Sequence, residues 1–214
     1  REPAAASRLS LPGPPRAKAG VRGTKVIQPA AHLATHPEIS LARIPYFDLA
    51  QAPASYTELL GARPPLNLYR MLPHAGKAAE GFLKLGGALL RDNELDSRLR
   101  EIAILRVGLL SGAGYEVHQH KKIARRVGLA DAKVAALEPG ADTSALDDLE
   151  LHVLRFTDQL VHHVRAPDAM FEAMRERLTT RALAELVLTV GFYMMVSRFL
   201  ENFDVDIESP DAAL

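Results

Sequence analysis

No cysteine occurs in this chain of 214 residues. Disulfides, thiolate metal ligands and every mechanism with a thiol nucleophile are therefore excluded. A net charge of one sign is also missing, since 26 Lys and Arg balance 26 Asp and Glu. That balance argues against a general binder of nucleic acid, and none is expected as a partner. Long apolar runs are absent as well. The most apolar stretch, 186–196, is interrupted by Thr189 and Gly191 and is far shorter than the ~18 residues of a membrane span. No membrane partner is expected, and the cytoplasm is the expected compartment. The chain has no glycine-rich phosphate loop, nucleophile elbow or dinucleotide fingerprint, and no cofactor is expected.

What is present suffices to fold. Apolar residues make up 48% of the chain, enough for one domain with a substantial core. Residues 1–40 stand apart: they hold six of the fourteen prolines, six basic residues and two acidic ones, without amphipathic periodicity. They are expected to be a flexible, mildly basic leader. Their arginines and few acids also suit an organelle-targeting segment, but Pro12, Pro14 and Pro15 interrupt any amphipathic helix. A first residue other than Met fits processing or a fragment. Residues 41–214 are the expected folded domain.

From Ile44 onward the pattern is helical, and the predicted class is all-α, with antiparallel neighbours joined by short loops. Short helices are predicted at 54–61 and 66–72. Pro73 opens a helix to about 91, in which Gly81, Gly86 and Gly87 are explained by close helix contact. Asp96 caps a helix over 97–111. A Gly-Ala-Gly turn leads to a helix over 115–127, which stops at Gly128. A short helix at 131–137 follows. Ser144, with Asp147 three residues on, predicts a capping box for a long helix to about 164. Asp168 caps a helix to about 177, and Thr179 or Thr180 starts a last helix to about 203. The final helix is apolar nearly all round between Leu186 and Val196, which predicts burial at the domain centre or in a subunit interface.

The candidate chemistry lies in the helix over 115–127. Glu116 and His120 are four residues apart, so they share one face at about 6 Å between Cβ atoms. His120 falls on the apolar stripe with Val117, Ala124 and Val127. Glu101 lies among apolar residues of the preceding helix. A carboxylate in such a place needs a partner or a proton. Two carboxylates and an imidazole brought together would shift one another's protonation, as an acid–base site requires. A satisfied polar network tying two helices explains the same pattern, and Glu101, Glu116 and His120 also suit a metal in ligand type. No metal is expected. His118 diverges from His120 on a helix, and His162 with His163 suits the end of a helix dipole. Arg106 and Arg198 carry the planar fork that meets a carboxylate, and internal salt bridges with Glu185 or Glu201 are their expected use.

The run LDSRLREIAILRV at 95–107, followed by Tyr115, Glu116, His120, Ala124 and Gly128, resembles the carboxymuconolactone decarboxylase-like family, whose superfamily contains the alkylhydroperoxidase D proteins. The similarity covers about 44–208, including PPLNLY at 64–69 and FDVD at 203–206. In the redox branch a Glu is followed by a Cys-x-x-Cys pair and then a His. Those Glu and His positions are Glu101 and His120. The two cysteine positions are Ala113 and Glu116, and the His between them is Tyr115. Thiol peroxidase activity is thereby excluded, and the Tyr-Glu variant resembles the non-redox branch. That branch often carries Trp after the Tyr-Glu pair. Val117 stands there in this chain, and its smaller side chain predicts a larger pocket.

The resemblance implies a helical domain assembling as a trimer or hexamer, acting on a small-molecule substrate. It implies a lyase or isomerase for a small carboxylated lactone or related enolisable acid. In that reading His120 is the general acid/base, Glu116 orients and polarises it, Glu101 completes the relay, and Tyr115 donates a hydrogen bond to the substrate. A non-catalytic, ligand-binding oligomeric module and a metal-dependent enzyme are the alternatives. A pocket that reaches the three side chains separates the enzyme from the module.

Overall fold

Helix α4 (Ser97–Ser111) organises the domain. Asp96 caps it by accepting from the backbone N–H of Arg98 and Leu99, and Gly112 ends it at φ 65°, a backbone region that a side chain disfavours. Between those ends nine of its residues are buried, among them Ile102, Ile104 and Leu105. A helix buried on every side needs partners on every side. These are α5 (Gly114–Arg126), α7 (Asp148–His162) and α9 (Thr180–Asn202).

These elements belong to a computed structural model that describes residues 40–64 and 66–209. The proposed leader and residues 210–214 lie outside the described residues. The architecture is all-α. In chain order the remaining helices are α1 (Ala54–Leu60), α2 (Asn67–Met71), α3 (Lys77–Arg91), α6 (Asp131–Ala135) and α8 (Asp168–Arg177). Among the described residues there is no strand.

Several boundaries differ from the sequence reading, each for a local reason. Pro73 does not open α3. It lies in a 3-10 turn, Leu72–Ala75, and Gly76 at φ 56° redirects the chain before α3 begins. Ser144 does not cap α7. Its N–H and hydroxyl both bond Asp142, and the capping box is built three residues later by Asp147 and Glu150. Glu150 also accepts from Lys133 Nζ at 2.6 Å through both oxygens, which ties α6 to the start of α7. Asp168 is the first residue of α8 rather than its cap, and Pro167 stands in the cap position. Thr179 does cap α9, accepting from the Ala182 N–H at 3.1 Å.

Arg106 pairs neither with Glu185 nor with Glu201. It crosses from α4 to α7, where Nε and Nη2 meet the two oxygens of Asp158 at 2.6 and 2.9 Å while Nη1 donates to the Leu137 carbonyl. Glu185 is held by Arg181 and by the N–H groups of Glu94 and Leu95. Arg198 donates to the carbonyl of Met194 within its own helix.

Helix α9 runs past the apolar stretch that marked it, for 23 residues with a mean hydropathy of 1.5 in its most apolar window. By length and composition it could cross a membrane. Half of that window is buried inside the protein, as in a core helix. Beyond α9 the chain turns back. Tyr46 and Asp206 bond each other twice: the Tyr46 hydroxyl donates to Oδ2 at 3.0 Å and accepts from the Asp206 N–H at 2.8 Å. This return holds Glu208 beside α2 and α5, where it contributes to the site.

Candidate functional site

The three candidate acid–base residues meet where α4, α5 and α9 converge. Glu101, from the middle of α4, is 0% exposed, and His120, from α5, is 7% exposed. His120 Nδ1 lies 2.7 Å from Glu101 Oε2. With the carboxylate as acceptor, Nδ1 carries the hydrogen, and Nε2 is the nitrogen left for a ligand. Tyr193 of α9 sets its ring edge-on to the imidazole, with centroids 4.9 Å apart and planes at 88°. That contact and the Glu101 bond together hold the imidazole in one orientation.

A cavity of about 120 Å³ opens onto this corner. Tyr115, Glu116, His120 and Tyr193 line it, together with apolar side chains such as Phe82 and Phe192. Glu101 does not line it. The imidazole stands between the buried carboxylate and the cavity. Glu101 Oε1 has no hydrogen-bond partner among the described residues, and the nearest cation is Arg100, whose equally unpartnered Nε is 3.6 Å away.

Glu116 is not bonded to His120, contrary to the expectation that it orients the ring. Its Oε2 accepts from Ser197 of α9 at 3.2 Å, and its Oε1 has no partner among the described residues. Helical spacing brought the two side chains to one face, but the imidazole turned to the carboxylate on the neighbouring helix. Burial pushes the Glu116 carboxyl well above the usual carboxylate range; the Ser197 hydroxyl opposes the shift, and Glu101 and Glu201 add to it. Burial therefore favours the protonated form of Glu116 at the cavity wall.

A stability test follows from that shift. A carboxyl held above its unfolded value contributes stability that is complete at low pH and is lost as pH rises toward the folded value. The E116Q variant keeps the shape and has no proton to lose. In urea unfolding, E116Q should gain on the wild-type protein as pH rises above about 5, by about 1.4 kcal/mol per unit of upward shift. A gap that is constant with pH would show that Glu116 is ionised in the folded protein.

Tyr115 does not offer its hydroxyl proton to the cavity. It donates to Glu208 Oε1 at 2.5 Å and accepts from the Leu68 N–H at 3.4 Å. Burial and then Glu208 hold its phenol far above the ordinary value, so it remains neutral. Glu208 also accepts from the Asn67 N–H at 2.6 Å and from the Gln119 side chain. Val117 is not in the cavity wall either. Its Cγ2 packs on Gly108 of α4, where an added Cβ would stand only 2.9 Å away. The absence of a bulkier residue at 117 thus serves the α4–α5 contact. Gly86 has a comparable role, since a Cβ there would come 2.9 Å from the Phe192 ring. Gly81 has nothing within 4 Å of such a position, so close packing does not explain it.

Among the described residues no group of three or more His, Asp or Glu is arranged to hold a metal ion. The ring nitrogen that Glu101 engages is already used within the protein.

Residues 76–159 match the model of the carboxymuconolactone decarboxylase family, over a segment that runs from the start of α3 into α7 and includes Glu101, Glu116 and His120. The matched segment carries the family's pattern, and the fold is like that of the carboxymuconolactone decarboxylase and alkylhydroperoxidase D proteins. No curated protein matches it in sequence. Among solved structures it resembles the alkylhydroperoxidase AhpD core of an uncharacterized peroxidase-related protein from Ralstonia eutropha JMP134. The TM-score is 0.68 at 21% identity, over 84% of this chain and 96% of that one. An uncharacterized peroxidase-related protein from Silicibacter sp. TM1040 is similar, with TM-score 0.67 at 16% identity over 83% and 96% of the two chains. At such identities the likeness is one of fold. The present chain lacks the thiols of a peroxidase, because it has no cysteine.

Five contributors escaped sequence reasoning: Ser197, Tyr193, Glu208, Arg63 and Arg91, the two arginines also lining the cavity. Tyr193 and Ser197 are four apart in α9 and so share a face, which periodicity could have flagged. Nothing local marks the others.

Proposed function

We propose that this protein is a cofactor-independent acid–base enzyme, a decarboxylase, other lyase or isomerase, for a small carboxylated lactone or related enolisable acid. The observation that carries this reading is the division of the His120–Glu101 pair: the carboxylate is sealed in the core and the imidazole faces a cavity. A purely structural network would need no such opening.

In the decarboxylase version the bond to the leaving carboxylate breaks. Its electron pair passes into the adjacent carbonyl as an enolate, and CO2 departs. Imidazolium at His120 then protonates the carbon through Nε2, and solvent restores the proton. Glu101 positions the ring and stabilises its charged form. Glu116, in its protonated form, suits a hydrogen bond to the enolate oxygen. Tyr115 serves as a wall braced by Glu208. Screening the purified protein against carboxylated lactones and β-keto acids, with CO2 release and ring-proton exchange as readouts, tests the reading. Silence across the panel would favour the non-catalytic, ligand-binding module.

The same reading makes the protein a homo-oligomer, trimeric or hexameric, working in the cytoplasm. It is supported by apolar side chains of α9 left at the surface, Val187, Leu188 and Met195, of which Leu188 is 54% exposed. Exposed apolar patches of this kind mark interfaces. Leu188→Glu should lower the mass seen by sedimentation to that of a monomer or dimer with helicity intact. An unchanged mass would remove this face from the interface.

A further inference from the structure

The cavity that holds His120 has a charged end that the acid–base chemistry does not use. Arg63 follows α1 and Arg91 is the last residue of α3; both line the cavity. Their guanidinium groups converge over one residue, Gly87. A Cβ placed there would lie 2.5 Å from Arg91 Nη2 and 3.5 Å from Arg63 Nη2. Two like charges brought together repel unless an anion joins them.

The protein supplies no such anion among the described residues. Arg63 Nη1 donates to the Leu60 carbonyl at 2.7 Å and to that of Leu59, which pins the side chain at the C-terminus of α1. Its Nε and Nη2 have no bond of their own, and the Arg91 guanidinium has neither a hydrogen bond nor an ion pair among the described residues. The one acidic side chain lining the cavity among them is Glu116, which does not reach either guanidinium and whose burial favours the protonated form. The Tyr69 phenol, also in the wall, reports the same field: burial pushes it up, and Arg63 and Arg91 both pull it down. The remainder of the wall is largely apolar, from Leu83, Leu90 and Ile123 to Phe192 and Val196.

We infer that Arg63 and Arg91 clamp one carboxylate of the ligand, while its apolar body fills the cavity and its far end meets His120. The site would therefore take a small organic acid with a compact, mostly apolar frame, held by a two-arginine fork. A side chain at Gly87 would push the Arg91 guanidinium aside, since its Cβ would stand 2.5 Å from Nη2. This deepens the proposed function by naming what holds the substrate, and it rests on that reading for the link to catalysis but not for binding.

The test uses the full chain and two isosteric probes, benzoate and neutral benzamide, followed by isothermal titration. The wild-type protein should prefer benzoate by at least about tenfold, with the preference shrinking as NaCl rises. R91Q, at an exposed position where folding is not at stake, should bring the two affinities within about twofold. G87A, which retains both charges and favours the helix, should also lose the preference by displacing Arg91 Nη2. H120Q should retain it. Equal affinities in the wild-type protein, or no binding of either probe at millimolar concentration, would overturn the clamp. So would a full preference in R91Q, or its loss in H120Q, which would place the anion on the imidazole. A wild-type protein that prefers benzoate yet turns over no acid would keep the clamp and reject the acid–base function.

Discussion

Replacing His120 with glutamine is expected to lower turnover by about 10²–10⁴-fold, the usual contribution of a positioned acid–base group. Glutamine is close in size and can still bond Glu101 through its amide, so helicity and oligomeric state should hold. What it cannot do is hold a proton at the cavity and pass it to the substrate. Chemical rescue separates this role from a structural one: added imidazole should restore part of the turnover of H120Q, because it supplies the missing proton carrier to the cavity. Turnover within about twofold of wild type would remove His120 from the mechanism. Glu101→Gln should keep part of the activity, because it can still accept from Nδ1–H, but it loses the charge that stabilises imidazolium.

The largest effect on stability is expected at Asp158. Its carboxylate receives a two-point grip from Arg106, whose side chain is 11% exposed, while that of Asp158 is 27% exposed. Asp158→Ala leaves the guanidinium of Arg106 in the α4–α7 interface with only the Leu137 carbonyl as partner. Breaking such a pair from one side costs about 3 kcal/mol, at the low end of the range because water reaches Asp158. For a chain of this size that is a fall in Tm of roughly 6–12 °C by calorimetry. The double variant R106M/D158L should recover most of the loss, since no buried charge is then left unpaired. A double variant as unstable as D158A would show that the pair's hydrogen-bond geometry, and not its unpaired charge, holds α7 on α4.

Much of the architecture was legible because it is written in local chemistry. Asp96 and Gly112 bound α4 as read, since a cap and a left-handed residue act within one turn of themselves. The reading misplaced the start of α7 because two acceptable caps, Ser144 and Asp147, stand three residues apart. Ser144 was taken by Asp142, and Glu150 completed the box on Asp147. Burial of the candidate site was also legible: Glu101 and His120 each interrupt an apolar stripe, and both are buried.

The partners were another matter. Helical spacing relates Glu116 to His120, yet the bond that forms joins His120 to Glu101, nineteen residues away on another helix. Tyr115 found Glu208, and Arg106 found Asp158, across 93 and 52 positions of sequence. Local pattern determined which helices form, where they end and which polar residues each turns inward, because those outcomes depend on neighbours within a turn or two. Only packing decided which acid meets the imidazole, which carboxyl burial pushes toward its protonated form and which arginines share a cavity. Those contacts join residues far apart in the chain, and their distances are set by how whole helices lie against one another.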